Sequence, residues 1–600
     1  MCGINGYLNF RTQNTPERIQ QIIGKMNTAL VHRGPDNQGQ WLDPGNFCHL
    51  GHTRLSILDL TPAGNQPMMS EDGRFVISFN GEIYNFKELR LMYERKGQQF
   101  KTGTDTEILL HAFTKLGPVV FQALDGQFAV AIYDRQKGIV TLARDRIGEK
   151  PLYYAIESGF CVFSSELKAL LEVDQLDVQL SEEALAQYLT LRYVPPPKTI
   201  LDPIKKLPPG FYLQIDINGN SRVERYYSFE IDQDNAPGLG DLDTYCDEVE
   251  EALIDSLKVR LNSDVPIGVF LSSGVDSSLV CALLSKKLDQ NIKTYTIGFS
   301  GDENSEHHAA ESISKELGTD HSTHIFSASN FDVICDKIGD ILDEPNGDRS
   351  CVPTYLLSEF TRQHVKVAIS GDAGDELFGG YGRYPGVAKS FDGMAPGNAR
   401  QKVKAYIEQG LPVFPPQAVQ AAFPDAFEKL SDFYEAYAPA FAHIRRPSIH
   451  ALRQLDLHTY LPGAVLAKVD RMSMQHSLEV RTPFLSPKML ALASKASEKA
   501  CWSDGIQKVV LRRILSKYLP DQHVYAPKQG FGMPSSVFFN NKQRIEAELR
   551  TAYHVLRATN FFQSRHQALD AMFGSVTANI NSIWAVVVLS KWIQSINRAL

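Results

Sequence analysis

The sequence predicts two consecutive domains: an α+β domain of packed sheets between helices, and an α/β domain with a parallel sheet and a helical C-terminal part. Three observations lead to this fold class. The chain has 600 residues, far beyond the roughly 250 to 300 residues at which one hydrophobic core stops growing. Its first half has the pattern of short strands. After about residue 240, apolar strands alternate with helical segments instead.

The first half contains short apolar runs that are typical of strands. Residues 75–79, 128–133 and 138–143 are such runs, and turn-forming segments separate them. Helical patterns cover residues 15–30 and 105–116. Because strands dominate and helices only interrupt them, we expect an α+β domain that contains packed sheets.

A composition change marks the end of this domain. Proline-rich turns occur near residues 195 and 208, a strand pattern covers 211–217, and a polar stretch begins at residue 232. We therefore predict a first domain over residues 1–217, a linker over 218–240 and a second domain over 241–600.

The second domain has the pattern of a parallel sheet covered by helices. Apolar runs at 265–271, 294–299 and 365–370 alternate with helical segments. Beyond about residue 400 the pattern is mostly helical, and residues 583–592 are typical of a buried core helix.

Composition excludes several classes of protein. The hydrophobic fraction of 43%, the charged fraction of 22% and the net charge of -8 fit a globular protein without a basic surface for nucleic acid. The eight cysteines form no CxxC pair, which argues against a zinc site or a disulfide framework. We find no signal-peptide pattern and no apolar run near the ~20 residues of a membrane span. A cytoplasmic location, with neither a membrane nor a nucleic-acid partner, is expected.

The N-terminus suggests a nucleophile. The chain begins Met1-Cys2-Gly3, and a methionine that precedes a small residue is normally removed. Cys2 would then carry a free α-amine, which combines a nucleophile and a general base in one residue. A cysteine at position 2 is weak evidence by itself.

Four further segments strengthen this interpretation: HRGPD at 32–36, GHTRLSI at 51–57, FNGEIYN at 79–85 and GTD at 103–105. In this order behind Cys2 they resemble the class II glutamine amidotransferases, which have the N-terminal-nucleophile fold. The resemblance implies that Arg54 binds the carboxylate of glutamine and that Glu82 and Asp105 bind its amino group. Asn80 would also contact glutamine. Its side-chain amide and the backbone N–H of Gly81 would together form the oxyanion hole.

The residue types suit these roles. A guanidinium matches a carboxylate, and neutral donors stabilise an oxyanion. Each residue also has an alternative reading. Arg54 could form a surface ion pair, Asn80-Gly81 could be a hairpin turn, and Asp105 could cap a helix.

A small, hydroxyl-rich turn follows the strand pattern at 265–271. Residues 272–278 (SSGVDSS) precede a helical segment, so their N–H groups can bind an anion, although a plain capped helix is the alternative. The turn resembles the pyrophosphate loop of the ATP pyrophosphatases, SGGxDS, with Ser273 in place of the first glycine. It does not follow the Walker pattern. The resemblance therefore implies cleavage between the α and β phosphates and transfer of AMP to a carboxylate.

Six more segments extend the match: residues 343–345, 353–356, 370–381, 468–474, 479–485 and 528–532. Together with the first half they resemble the glutamine-hydrolysing asparagine synthetases over nearly the whole chain. This family implies hydrolysis of glutamine at Cys2, adenylation of a carboxylate with MgATP, and amide formation by ammonia that travels through a tunnel.

The resemblance also implies residue roles in the second domain. Asp276 and Asp375 would hold Mg²⁺, a cation that favours carboxylate and phosphate oxygens. Lys528 would neutralise charge at the reacting centre, and Asp372 would lie beside the acyl-adenylate as a second catalytic group. The acceptor would contact Glu344, Tyr381 and Lys468. ATP would contact Leu271, Ser272, Gly274, Asp276, Ser277, Ser278, Ile297, Ser370 and Gly371. Lys528 could instead be a surface lysine, and Glu344 part of an ordinary turn.

Aspartate is the acceptor that the family implies. However, Gly463-Ala464 and Ser486 occupy positions where many relatives carry acidic residues. A uronic-acid sugar used in surface-polysaccharide synthesis is therefore the alternative acceptor for the same mechanism. A non-catalytic scaffold is a further alternative, but Cys2, Arg54 and Asp276 argue against it. Other class II amidotransferases lack an adenylating loop. A homodimer is one oligomeric state that the sequence allows.

Overall fold

The structure is a computed structural model. It describes residues 1–10, 14–231, 242–300, 305–391, 394, 398–410, 413–428, 437–438, 449–527, 542–576 and 580–596. Strands and helices are numbered in chain order within these residues.

In the described part of the chain, the first domain contains two antiparallel six-stranded sheets. The first sheet has the order β12 (Lys205–Lys206), β8 (Tyr153–Ile156), β9 (Phe160–Ser164), β1 (Gly3–Asn9), β3 (Cys48–Arg54) and β2 (Asn37–Leu42). The second has the order β14 (Ser221–Arg225), β13 (Phe211–Asp216), β7 (Ile139–Arg144), β6 (Gly126–Asp134), β5 (Phe75–Ile83) and β4 (Met68–Met69). A short ladder pairs β10 (Gln179–Leu180) with β11 (Leu201–Asp202).

The two sheets pack face to face between helices. Their shared core includes Ile4 and Leu50 from one sheet and Ala131 and Leu142 from the other. The outer faces are covered by the helices α1 (Pro16–Ala29) and α3 (Asp105–Leu116), whose apolar residues pack on the first and second sheet respectively. The predicted α+β domain of packed sheets is confirmed.

The second domain is built on a parallel sheet. Its order is β17 (Asp320–Phe326), β16 (Lys293–Phe299), β15 (Ile267–Phe270), β18 (Val367–Ile369) and β19 (Glu479–Arg481). Each pair of neighbouring strands in this order is parallel. A separate two-residue ladder pairs β20 (Trp502–Ser503) with β21 (Ile506–Gln507). The predicted parallel sheet is confirmed.

The remaining helices belong to both domains. Those of the first domain are α2 (Phe86–Glu94), α4 (Leu167–Leu170) and α5 (Glu182–Leu191). Those that follow, up to the last strand of the parallel sheet, are α6 (Leu242–Arg260), α7 (Val275–Lys286), α8 (His307–Leu317), α9 (Ala328–Ile341), α10 (Cys351–Arg362), α11 (Gly374–Phe378), α12 (Tyr384–Lys389), α13 (Ala399–Gly410), α14 (Pro416–Ala422), α15 (Ile449–His458) and α16 (Leu466–Met474).

The C-terminal part is mostly helical, as expected from the sequence. It contains α17 (Pro487–Ser494), α18 (Glu498–Cys501), α19 (Val509–Leu515), α20 (Asp521–Val524), α21 (Lys542–Ala558), α22 (Asn560–Gln563), α23 (His566–Val576) and α24 (Ile580–Ile596). Helix α24 is almost entirely buried. None of the described helices is both long enough and apolar enough to cross a bilayer.

Strand β14 lies inside the span that the sequence suggested as a linker. It pairs with β13, Phe211 opposite Arg225, and so extends the second sheet beyond residue 217. No apolar pattern marks this strand, because its residues are exposed or half-buried and only Val223 is apolar. All eight cysteines are free.

Candidate active sites

The predicted glutamine residues meet in one small cavity of about 40 Å³ in the first domain. Cys2 lies immediately before β1, Arg54 ends β3, Glu82 lies near the end of β5, and Asp105 begins α3. All four line the cavity, as does Gly81. Because neighbouring strands end at the same edge, residues that are far apart in sequence converge here.

Asn80 lies beside the cavity, where it forms a hydrogen bond with Cys2. The backbone N–H of Cys2 donates to Asn80 Oδ1 at 2.9 Å, and Asn80 Nδ2 is buried without a hydrogen-bond partner in the described residues. This amide is therefore free to donate to an oxyanion. Asn80 and Gly81 lie inside β5, opposite Ala129 and Phe128, which excludes the hairpin alternative.

Gly81 has no room for a side chain. A β-carbon there would lie 2.2 Å from the carbonyl oxygen of Gln127 on the neighbouring strand. Only glycine permits this close approach of β5 to β6. Burial raises the pKa of the Cys2 thiol.

Arg54 is buried, and hydrogen bonds from its guanidinium fix its position. Its guanidinium donates to the carbonyl of Thr61 at 2.8 Å and to Asn65 Oδ1 at 2.9 Å, and it also donates to the carbonyl of Asp59. It forms no ion pair with any residue that the structure describes, which contradicts the surface ion-pair alternative. A buried guanidinium without an acidic partner suits an incoming carboxylate.

Glu82 and Asp105 present carboxylates to the same cavity. Burial raises the pKa of Asp105 to about 6, and burial together with Asp105 raises the pKa of Glu82 well above its usual value. Asp105 does not cap its helix, because Thr104 does so through Glu107 N. Instead Asp105 Oδ2 accepts from Ile83 N at 2.8 Å, which ties α3 to β5.

The second domain also reaches this cavity, which sequence reasoning missed. Glu479, the first residue of β19, lines it together with Met1. The Met1 ammonium donates to Glu479 Oε2 at 2.9 Å, and Arg481 forms an ion pair with Glu82 at 3.3 Å. The segment 479–485 was recognised as a family motif, but nothing in the sequence indicated that it faces Cys2.

A buried ion-pair network joins the two domains beside Cys2. Arg33 Nε donates to the carbonyl of Cys2 at 3.1 Å, and Arg33 Nη1 bonds to Glu166 at 2.6 Å. Its two terminal nitrogens also reach Asp470 of α16, at 2.8 and 3.1 Å. Asp470 is buried, yet Arg33 and Lys150 lower its pKa well below the usual range. Both domains therefore fix the position of Cys2.

A larger cavity of about 470 Å³ lies in the second domain, a volume typical of small-molecule sites. Most predicted nucleotide and acceptor residues line it. These are Leu271, Ser272, Gly274, Asp276, Ser277, Ser370, Gly371, Asp372, Asp375, Tyr381 and Lys468. Ser278 is buried in the first turn of α7.

Two loops that line this cavity contact each other. A β-carbon at Gly371 would lie 2.7 Å from Ser277 N, so the loop after β18 touches the first turn of α7. Ser272 and Ser277 share a hydrogen bond of 2.9 Å between their hydroxyls. The buried hydroxyls of Ser278 and Ser370 have no hydrogen-bond partner in the described residues. These unused donors, beside the start of a helix, fit a phosphate group.

The Lys508 ammonium lies between the two predicted metal ligands. It contacts Asp276 and Asp375, the latter at 2.6 Å. Burial opposes its charge, but the two aspartates raise the pKa of Lys508 above its usual value. One cation therefore already bridges both carboxylates, so these residues fit a divalent cation shared with phosphate oxygens. No sequence motif indicated Lys508, which immediately precedes α19.

Further charged residues line the part of the cavity around Lys468. Lys468 Nζ donates to Ser350 Oγ at 2.9 Å. Asp348 is buried, but Lys468 and Arg192 lower its pKa to about 2. Tyr381 donates to Glu376 at 2.6 Å, and burial together with Asp375 raises the pKa of Glu376 to about 8. Asp348, which was not predicted, faces the cavity.

Glu344 and Ile297 are predicted residues that the structure describes but that do not line this cavity. Glu344 pairs with Lys206 of the first domain and accepts from Ile200 N at 2.8 Å, so it belongs to the domain interface. Ile297 packs in the core under α9 and α10 rather than lining the cavity. Lys528 lies outside the described residues. Glu344 thus lies at the domain interface and Ile297 in the core, and their predicted contacts with the acceptor and with ATP stay predictions.

Comparisons with known proteins agree with this organisation. The family model for the glutamine amidotransferase domain matches residues 1–227, and that for asparagine synthase matches residues 248–594. Asparagine synthetase [glutamine-hydrolyzing] 1 of Bacillus subtilis is 30% identical over 100% of this chain and 97% of its own length. Asparagine synthetase B of Escherichia coli is 28% identical over 88% of this chain and 82% of its own.

A further relative, asparagine synthetase [glutamine-hydrolyzing] 3 of Bacillus subtilis, is 28% identical over 88% of this chain and 87% of its own length. Both matched domains occur in the order in which the two cavities occur along the chain. With an asparagine synthase match over more than half of its residues, the chain belongs to the family of glutamine-hydrolysing asparagine synthetases.

Proposed function

We propose that this protein hydrolyses glutamine at Cys2 and uses the ammonia to amidate a carboxylate that its second domain has activated with ATP. The observation that carries the proposal is the pair of cavities in one chain. One holds a buried thiol, an oxyanion donor and receptors for an amino acid. The other holds a phosphate-type loop, two bridged aspartates and a lysine.

In the first cavity the Cys2 sulfur would attack the side-chain amide carbon of glutamine. Asn80 Nδ2 and Gly81 N–H would stabilise the oxyanion, and the α-amine of Cys2 would move the proton to the departing ammonia. Water would then cleave the thioester to glutamate. Arg54, Glu82 and the neighbouring Asp105 would hold the α-carboxylate and α-ammonium of the substrate.

Removal of Met1 is the first expected result. A cavity of about 40 Å³ holds only a few water molecules, and buried Met1 fills the space beside Arg54 and Glu479. Its loss would make room for glutamine and free the amine of Cys2. Intact-mass measurement of active protein should show a chain without Met1. Full glutaminase activity in protein that retains Met1 would contradict the amine-assisted mechanism.

In the second cavity the loop from Ser272 to Ser278 would hold the phosphates of ATP, and Asp276 and Asp375 would hold Mg²⁺. This cation would neutralise phosphate charge. Lys508 would then exchange a carboxylate partner for a phosphate oxygen. The acceptor carboxylate attacks the α-phosphorus, pyrophosphate leaves, and ammonia displaces AMP. Lys528 would neutralise charge at the reacting centre, and Asp372 would accept a proton from the incoming ammonium.

We propose L-aspartate as the acceptor. Lys468 offers a charge for its α-carboxylate, and Asp348 and Asp372 offer charges for its ammonium. The two departures from the family pattern lie outside the cavity lining. Ser486 caps α17 by accepting from Met489 N at 3.3 Å, a role that aspartate also fills. A β-carbon at Gly463 would lie 2.6 Å from the ring of Tyr193, so an acidic side chain does not fit there.

An acceptor screen tests this choice. Purified protein with glutamine and MgATP should release pyrophosphate when aspartate is added and should form asparagine and AMP in equal amounts. A uronic-acid derivative should not stimulate pyrophosphate release. The opposite pattern, in which the sugar acid is active and aspartate is not, would assign the alternative acceptor to the same mechanism.

A further inference from the structure

Glu479 belongs to the second domain but lies in the glutamine cavity of the first. It begins β19, which pairs with β18 at the edge of the parallel sheet. Its side chain is 1% exposed and lines the cavity with Cys2 and Arg54. The predicted glutamine-binding residues all belong to the first domain, so they do not include Glu479.

The Glu479 carboxylate already binds an ammonium group. Its Oε2 accepts from the Met1 ammonium at 2.9 Å, and its Oε1 accepts from Arg481 Nε at 2.7 Å. Burial opposes ionisation, but Met1 and Arg481 lower the pKa of Glu479 to about 2. Loss of Met1 would leave one oxygen of a buried, ionised carboxylate without its cation, which is a costly arrangement.

The surrounding charges favour a new cation at this place. Glu82 and Asp105 line the same cavity, and Glu82 Oε1 is buried with no hydrogen-bond partner among the residues that the structure describes. Arg481 faces Glu82 and Glu479 but also donates to the carbonyls of Arg260 and Asn262, both at 2.7 Å. Once the Met1 ammonium is gone, Glu82 and Glu479 therefore share the Arg481 guanidinium, with the Asp105 carboxylate in the same cavity.

We infer that the Glu479 carboxylate binds the α-ammonium of glutamine, together with Glu82 and Asp105, so that the second domain supplies part of the glutamine site. This inference rests on the proposed glutaminase function. The Met1 ammonium marks the position that the substrate ammonium takes after processing.

One structural consequence links this site to the ATP cavity. The carbonyl of Arg481, two residues beyond Glu479, accepts from Ser370 N at 3.0 Å, and Ser370 lines the ATP cavity. The same short strand therefore contacts both substrates' cavities. Glutamine affinity therefore depends on Glu479, and the nearby backbone carbonyl of Arg481 holds the loop that begins at Ser370.

The test replaces Glu479 with glutamine, which keeps the acceptor for Arg481 but removes the charge. Glutamine hydrolysis by E479Q should lose roughly ten- to a hundredfold in kcat/KM, mainly through KM, because hydrogen bonds to charged groups contribute about 1.5 to 3 kcal/mol. Hydrolysis of 4-carbamoylbutanoate, which lacks the α-amino group, should change little. Ammonia-dependent pyrophosphate release should be retained, which shows that E479Q is folded.

Two controls isolate the effect. Glu250→Gln removes another buried carboxylate, which binds Lys517 at 2.6 Å away from both cavities, and should leave kcat/KM for glutamine unchanged. Calorimetric titration of glutamine into Cys2→Ala and into Cys2→Ala/Glu479→Gln measures binding without hydrolysis. The second protein should bind more weakly by the same factor.

Two outcomes would overturn the inference. Equal affinity of the two calorimetry variants for glutamine would show that Glu479 does not bind it. An equal loss on glutamine and on 4-carbamoylbutanoate would show that Glu479 acts on the Cys2 amine or on the packing instead. Failure of the wild type to hydrolyse glutamine while it still binds glutamine would contradict the proposed function and leave the binding result to decide on Glu479.

Discussion

Replacing Cys2 with alanine should abolish glutamine hydrolysis, by roughly 10⁴-fold or more, because no other group in the cavity can form the thioester. Pyrophosphate release with aspartate, MgATP and added ammonium should persist, since the second cavity is intact. Alanine is also small enough for Met1 to be removed, so the variant and the wild type both begin at residue 2. Glutamate release and pyrophosphate release, measured separately with glutamine and with ammonium, check both halves of this prediction.

Cys161→Ala is the matched control. Cys161 is also a buried cysteine of the first domain, but it lies on β9 in the core between the sheets. Its loss should cost some stability and little activity. Equal glutaminase rates for the wild type and Cys2→Ala would contradict a catalytic Cys2 and would favour the scaffold alternative for the first domain.

The local features of the cavity around Cys2 were predictable from the sequence. Helix α3 begins and ends where its pattern indicated, because Thr104 caps it and Gly117 follows it. Cys2, Arg54, Glu82 and Asp105 lie at strand and helix ends that short motifs mark. Periodicity was sufficient to identify β5 and α3, because each depends on neighbouring residues.

Contacts between distant segments were not predictable. Glu479 meets Met1 across 478 positions, and Lys508 meets Asp276 across 232. Such contacts depend on how complete domains pack, and no periodicity encodes that. For the same reason the ion pair between Glu344 and Lys206 of the first domain was not predicted. The loop of Glu344 carried the right residue types but faces the domain interface.

Replacing Lys508 with methionine should reduce pyrophosphate release by about 10²- to 10³-fold, the usual cost of removing one donor from a developing charge. The two aspartates would lose the cation that bridges them, so the variant should also unfold at lower temperature. Added Mg²⁺ should restore much of that stability, because it can take the place of the ammonium between Asp276 and Asp375. Initial rates and thermal unfolding with and without Mg²⁺ measure both effects.

The control for this variant is Lys488→Met. Lys488 also pairs with an aspartate, Asp255 at 2.9 Å, but both side chains are more than half exposed. An exposed pair contributes about 0 to 1 kcal/mol, so this variant should match the wild type in rate and in its response to Mg²⁺. Glutamine hydrolysis by Lys508→Met should stay normal, since Cys2 lies in the other cavity. Unchanged pyrophosphate release in Lys508→Met would show that this ammonium only balances the two aspartates and does not contact the phosphates.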